Sequence, residues 1–288
     1  MSPSRRAAVL GSPIGHSLSP VLHRAAYEAL GLDWSYDALD CDEERLPALF
    51  RSVRDALDPP YAGLSLTMPL KSAVLPLLDD LAPSALAVGV VNTVVFADGG
   101  AIGHNTDTQG VLRCFDEAGL RGAPESLALL GGGGTARAVV AAVAARGGVV
   151  ARVLLRDPAR GASLRELGTS LGVDVELLPL AAAPEVLGAA DIVVNTTPAG
   201  AVDALAADPW PRGIPYVDVL YAPWPTPLAT AAAAAGAVVV GGLVMLVGQA
   251  AVQVELHTGR PAPYDVMRAA GEAALSARSR DDGAGNRS

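Results

Sequence analysis

Lysine is almost absent from this chain. Of its 21 basic residues only Lys71 is a lysine; the rest are arginine. A bias toward arginine replaces any positive site where the two are interchangeable. Guanidinium keeps its proton in proteins, whereas a lysine amine can give it up. Lys71, in Thr67-Met68-Pro69-Leu70-Lys71, is therefore a candidate acid–base group. On composition alone, a surface lysine left by chance is the plainer reading.

Aromatic residues are scarce too, at 4% against 51% hydrophobic residues overall, so the core must be built from Ala, Val and Leu. Two cysteines, Cys41 and Cys114, could pair only once and lack metal-ligand spacing. They read as free thiols in a reducing, cytoplasmic setting. Nor do His16, His23, His104 and His257 show such spacing, and no metal is expected. A net charge of −9 leaves no basic face for a nucleic-acid backbone. The basic start, Met1 to Arg6, leads only into Ala7 to Leu10, too short a run for a signal peptide. Charge is missing from Leu228 to Val254, long enough to cross a bilayer. Gly236 and Gly241-Gly242 break that run into a helix ending near Ala235, a strand Ala237 to Val240 and a new helix from Leu243, so no membrane span is expected.

What remains alternates. Strands are expected at 7–11, 36–40 and 63–67, with helices at 21–30 and 46–56 between them. That order signals an α/β layer with a largely parallel sheet. Asp98-Gly99-Gly100, between apolar runs at 91–96 and 101–104, marks a hairpin or bend. After a helix at 110–119, a strand at 126–130 meets Gly131-Gly132-Gly133-Gly134-Thr135-Ala136, and an Ala/Val helix follows to Arg146. Further strands fit 151–155, 173–177, 192–195, 216–219 and 237–240, with a helix around 159–167. The polar tail, 278–288, reads as disordered.

The glycine run fits G-x-G-x-x-[GA]. In a glycine-rich chain that motif is weak by itself, but here a strand precedes it and a helix follows, the context its mechanism needs. Gly131 permits the tight turn, Gly133 the approach of backbone N–H groups to a pyrophosphate, and Ala136 close packing of helix on strand. The phosphate would sit at the positive helix end. At the end of the next strand, Leu155-Arg156-Asp157 offers both signs: Arg156 and Arg160 suit the 2′-phosphate of NADP, Asp157 the ribose hydroxyls of NAD.

With these residues in hand, the chain resembles the shikimate dehydrogenase family from Val9 to about Ala274. The resemblance rests on Ser17-Leu18-Ser19-Pro20, Leu66 to Lys71, Val91-Asn92-Thr93, Asn105-Thr106-Asp107, the glycine run, Asp218-Val219-Leu220-Tyr221 and Gly242 to Gln249, in this order. It implies reversible NADPH-dependent reduction of 3-dehydroshikimate to shikimate, toward the aromatic amino acids. The fold implied is an α/β substrate domain plus a Rossmann-type doubly wound nucleotide domain, with the active site in the cleft between them. Residues 1–107 with 242–277 would form the first and 108–241 the second. Small-molecule substrate, no nucleic acid, no membrane, and a monomer or homodimer are the expected partner relations.

The resemblance also assigns residues. Ser17 and Ser19 match the serines that bind the substrate carboxylate; in an extended stretch such a pair points one way. Alone, Ser19-Pro20 reads equally as a helix cap followed by proline. Thr67 and Tyr221 match substrate-holding positions. Lys71, Asn92 and Asp107 match the polar cluster at the reacting end, with Gln249 closing over it. Hydride delivery to a ketone builds negative charge on oxygen, which an ammonium can stabilise and protonate, and a carboxylate keeps that amine charged. Nicotinamide is expected near Thr196, Val219, Gly242 and Met245; a core methionine is the ordinary reading of the last.

Three departures stand out. Ser65 occupies a position where many family members carry Asn. Leu155-Arg156-Asp157 replaces the common Asn-Arg-Thr/Ser cofactor motif, which puts NAD use and a quinate/shikimate or aminoshikimate dehydrogenase forward as the alternative. Both Ser17 and Ser19 are retained, which is closer to the shikimate enzymes than to those selecting quinate. From another class, a non-catalytic NAD(P)-binding sensor is the rival.

Overall fold

The computed structural model describes residues 3–97 and 99–285. The chain divides into two compact units, Met1–Thr106 with Leu246–Ser288, and Asp107–Met245.

The first unit opens with strand β1 (Arg5–Gly11), helix α1 (Ser19–Ala29), β2 (Trp34–Asp40), α2 (Leu46–Arg54) and β3 (Tyr61–Leu66). The short helix α3 (Leu70–Ala73), the two-residue β4 (Asp80–Leu81) and α4 (Pro83–Val88) follow, then the strands β5 (Thr93–Ala97) and β6 (Gly100–His104). Their sheet has the order β2-β1-β3-β5-β6-β4. β1 lies parallel to both β2 and β3, whereas β3, β5 and β6 run antiparallel in turn. The expected hairpin is this β5–β6 pair, in register Phe96↔Ala101 and Ala97↔Gly100. Gly99 takes φ +78° in its turn, while Asp98 lies outside the described residues. β1 is buried on both faces from Ala7 to Gly11, which explains its unbroken apolar run.

The second unit comprises α5 (Asp107–Glu117), β7 (Leu127–Leu130), α6 (Gly134–Ala145), β8 (Val150–Leu155), α7 (Ala162–Leu171), β9 (Asp174–Pro179), α8 (Ala183–Gly188), β10 (Ile192–Asn195), β11 (Tyr216–Asp218), α9 (Pro227–Ala234) and β12 (Val239–Val240). Every strand pair is parallel and the order is β12-β11-β10-β7-β8-β9. Numbered from β7, this is the doubly wound 3-2-1-4-5-6 order of dinucleotide-binding sheets, and the order reverses between β7 and β10. Small residues make the packing possible: α6 buries Ala136, Ala138, Val139, Val140, Ala142 and Val143 against β7 and β8. Each buried Val or Leu contributes about 1.5–3 kcal/mol, so number replaces aromatic bulk.

The charge-free stretch resolves into α9, β12 and the helix α10 (Gly242–Thr258). β12 starts later than expected because Gly236, at φ +81°, ends α9 and the chain needs further residues to turn back. Among the described residues no helix is long and apolar enough to cross a membrane. The last helix, α11 (Tyr264–Gly285), continues past 278, so the tail expected to be disordered is helical as far as 285. Alanine and arginine in Ala274 to Arg280 favour helix strongly enough to carry it on. Residues 286–288 lie outside the described ones.

Candidate active site

In the first unit the site grows from the ends of β1, β3 and β5. Thr67 leaves β3 with its N–H on the Leu10 carbonyl, and Ser12 N–H returns the bond to Met68 O. Gly11 is required there, since a Cβ would stand 2.3 Å from the Thr67 methyl. α3 begins at once, with Leu70 N–H on Thr67 O, and lifts half-buried Lys71 onto its first turn. The Lys71 carbonyl accepts the Val91 N–H at 2.9 Å. This ties the lysine's turn to the chain that delivers Asn92.

Asn92 is 1% exposed and its amide is pinned. Its Oδ1 accepts the Thr106 backbone N–H at 2.8 Å and the Thr93 hydroxyl at 2.8 Å. Nδ2 donates to Thr106 Oγ1 at 3.0 Å and to Gln249 Oε1 at 3.4 Å. Gln249 is held in turn by Nε2 donation to the Leu246 carbonyl. The structure thus brings Asn92 and Gln249 into one cluster, and adds Thr106.

Ser17 and Ser19 do not form the extended pair expected. Leu18 has φ −90°, ψ −7°, and α1 starts at Ser19, so alternation along an extended chain does not apply. Ser19 is a first-turn residue and makes no side-chain cap. Instead its N–H donates to Ser17 Oγ at 3.2 Å. The Ser19 hydroxyl is one of the groups hydrogen-bonded at the buried phenol of Tyr36, whose proton is held more tightly than usual because burial penalises the phenolate.

A polar chain runs behind these residues. Tyr36 O–H donates to Ser65 Oγ at 2.7 Å, and Ser65 donates to Gln253 Oε1 at 2.7 Å. Gln253 Nε2 donates to Thr93 Oγ1 at 3.0 Å and to the Asn92 carbonyl at 3.3 Å. His23 Nε2 lies 3.2 Å from Gln253 Oε1 and its ring stacks on Tyr36 at 4.0 Å. Burial, then repulsion from His257, pushes His23 down to about 3 against the opposing Gln253 bond. His257, on the Val94 carbonyl, is pushed by burial to about 4. Both rings are neutral at pH 7, so His23 Nε2 carries the proton it gives to Gln253. Sequence reasoning missed Tyr36, Gln253, Thr93 and Thr106 as site residues. A signal existed for one: Gln249 and Gln253, four apart, share one face of an otherwise apolar helix.

The second unit carries the glycine-rich turn. β7 ends at Leu130, Gly131 turns at φ +100°, and α6 starts at Gly134. A Cβ on Gly131 would meet Thr196 Oγ1 at 2.8 Å, and that hydroxyl donates to the Leu130 carbonyl. The loops after β7 and β10 therefore touch beside the reversal point, where such sheets take their ligands. A Cβ on Gly133 or Gly134 would meet nothing within 4 Å. The protein's own packing does not demand glycine there, and no side chain caps the helix N-terminus, which is left bare. The cradle at 131–135 thus fits a pyrophosphate. Arg156 and Arg160 are exposed at the end of β8 and in the turn beyond it, while the Asp157 carboxylate accepts the Ala159 N–H at 3.1 Å as a cap.

Around β11, Asp218 is fully buried and satisfied: Asn195 Nδ2, Tyr216 O–H and Thr226 O–H donate to Oδ2, and the Leu220 N–H to Oδ1. These bonds fix the Val219-Leu220-Tyr221 turn, in which Tyr221 is half-buried. Gly242 packs on that turn so closely that a Cβ would lie 2.1 Å from Val219 O. Met245, 7% exposed, belongs to the core that also receives Val219. Asp107, 4% exposed, is the first residue of α5 and follows Thr106 directly. Among the described residues no group of three His, Cys, Asp or Glu could hold a metal ion.

The shikimate dehydrogenase substrate binding domain family matches residues 9–94, and the shikimate 5′-dehydrogenase C-terminal domain family matches 242–270. A shikimate dehydrogenase (NADP(+)) of Symbiobacterium thermophilum is 37% identical, with 95% of each chain covered. The crystal structure of Mycobacterium tuberculosis shikimate dehydrogenase superposes with TM-score 0.82 at 40% identity, covering 93% of this chain and 99% of that one. The Thermus thermophilus enzyme, solved with NADP(H) and shikimate, gives TM-score 0.81 at 37% identity over 93% and 99%.

Proposed function

The chain belongs to the shikimate dehydrogenase family, and from that membership we infer its reaction: reversible, NADPH-dependent reduction of 3-dehydroshikimate to shikimate. The observation that carries the reading is the joint presence of a pinned cluster of Asn92, Gln249 and Thr106, of the only lysine on a turn whose carbonyl takes the Val91 N–H, and of a Cβ-free cradle at the start of α6.

Bound NADPH supplies the hydride. The chain's own groups hold the substrate and handle the proton. Ser17 and Ser19 receive the carboxylate, and Thr67, Asn92, Tyr221 and Gln249 hold the ring hydroxyls and the oxygen to be reduced. Lys71 Nζ donates the proton as the ketone oxygen becomes hydroxyl, and takes it back in the oxidative direction. Asp107 is the carboxylate that accompanies it. The expected cost of losing such a group is ~10²–10⁴-fold in rate. Lys71→Ala should therefore lower kcat by that factor while raising the KM for shikimate far less; an unchanged kcat refutes the role.

NADP is the preferred nucleotide in this reading. Gly131, Gly132, Gly133, Gly134 and Thr135 would hold the pyrophosphate, and Thr196, Val219, Gly242 and Met245 would line the nicotinamide end. Asp157 has its carboxylate engaged as a cap, which leaves Arg156 and Arg160 to meet the 2′-phosphate. Cys41 and Cys114 are both buried free thiols, as suits a cytoplasmic enzyme.

A further inference from the structure

Two amides in the first unit have their orientation set by backbone groups that cannot change role. The Thr106 N–H can only donate, so the atom 2.8 Å from it must be the oxygen of Asn92. The Asn92 carbonyl can only accept, so the Gln253 atom 3.3 Å from it must be the nitrogen. Between the amides stands one hydroxyl. Thr93 accepts from Gln253 Nε2 at 3.0 Å, which leaves its proton for Asn92 Oδ1 at 2.8 Å. At the far end, Gln253 Oε1 receives the protons of Ser65 and His23. Ser65 is thereby spent within the protein, since it also accepts from Tyr36 at 2.7 Å. Every bond in the series Tyr36, Ser65, Gln253, Thr93, Asn92 points the same way, and the Asn92 NH₂ carries it on to Thr106 Oγ1 and Gln249 Oε1.

We infer that Gln253 is a positioning residue of this enzyme: through Thr93 it supplies the second donor that, beside the Thr106 N–H, holds the Asn92 oxygen and so keeps the amide in the place from which it meets the substrate. This rests on the reading of Asn92 as a substrate-holding group. Gln253 is 1% exposed and one helical turn beyond Gln249 on α10, so it acts from beneath the site without touching ligand. Without its N–H, the Thr93 hydroxyl is free to rotate its proton toward other acceptors. The Asn92 oxygen then loses one of the donors that hold it.

The test is a double-mutant cycle on purified protein with Gln253→Met and Thr93→Val, each close in volume to the original. Each single variant should raise the KM for shikimate about tenfold, the worth of one buried hydrogen bond, with kcat changed far less and the KM for NADP unchanged. Because the two act in series, the double variant should also stay near tenfold, whereas independent residues would give about a hundredfold. Multiplying effects, or an unaltered KM in the folded single variants, overturns the proposal. A second readout needs no turnover. The Asn92 side-chain ¹⁵N–H₂ resonances, assigned by their loss in Asn92→Asp, should shift in Gln253→Met; unshifted resonances also overturn the proposal. If the wild type neither binds nor oxidises shikimate but the resonances shift, the substrate reading fails and the positioning of Asn92 by Gln253 stands.

Discussion

Mild acid should weaken the first unit well before its carboxylates protonate. His23 and His257 are buried, their rings 6.4 Å apart, one pushed to about 3 and the other to about 4. In the unfolded chain each titrates near 6.5. Between those values the unfolded state binds protons that the native state refuses, so stability is full above pH 6.5 and falls as pH drops. At pH 5 the unfolded state gains about 2 kcal/mol from each histidine, or about 4 kcal/mol together, a large part of a typical 5–15 kcal/mol stability. Their partners carry no compensating charge: His23 faces Tyr36, Tyr27 and Gln253, and His257 faces the Val94 carbonyl. Trp34 reports this unit once Trp210 and Trp224, both in the other unit, are changed to phenylalanine. The urea midpoint read from Trp34 fluorescence should fall steeply from pH 7 to pH 5 at constant ionic strength. In His23→Gln about half of that dependence should vanish. A midpoint flat across this range, or a His23 ring that titrates near 6.5 by NMR in the folded protein, refutes the reasoning.

Other outcomes follow from the same geometry. Gly133→Ala should leave urea stability unchanged, because its Cβ meets nothing within 4 Å, but weaken NADP binding about tenfold by calorimetry. Gly242→Ala should instead cost roughly 3 kcal/mol in unfolding, since its Cβ would strike the Val219 carbonyl at 2.1 Å. Arg156→Gln should raise the KM for NADP about 10- to 100-fold and leave that for NAD unchanged, the loss of one charge-assisted bond. Equal effects on both nucleotides would remove Arg156 from the phosphate.

The sequence spoke clearly where one segment carries the whole signal. β10 was expected at 192–195 and is found there, since the buried apolar run Ile192 to Val194, bounded by Asp191 and Asn195, has few other readings. The glycine loop was legible because strand, glycines and helix are contiguous. Elements whose stability comes from elsewhere were not: β4 has only Asp80 and Leu81 and exists because β6 pairs with it. α3 is four residues long and hangs on the Thr67 carbonyl. The Asn92 side of the site was legible as motifs, but its support was not. Tyr36, Ser65, Thr93 and Gln253 come from four separate elements, and no local pattern connects them. Ser17 and Ser19 show the limit of spacing arguments: one αR residue between them, Leu18, replaces parallel side chains by a backbone-to-hydroxyl bond.

The most direct measurement is the initial rate of reduced-nicotinamide formation by the purified protein with shikimate, run in parallel with NADP and NAD. Turnover that favours NADP, and that Lys71→Ala lowers by ~10²–10⁴-fold, is the result this account predicts. Turnover preferring NAD would overturn the assignment of Arg156 and Arg160. No turnover with either nucleotide, with both still bound, would contradict the account at its centre.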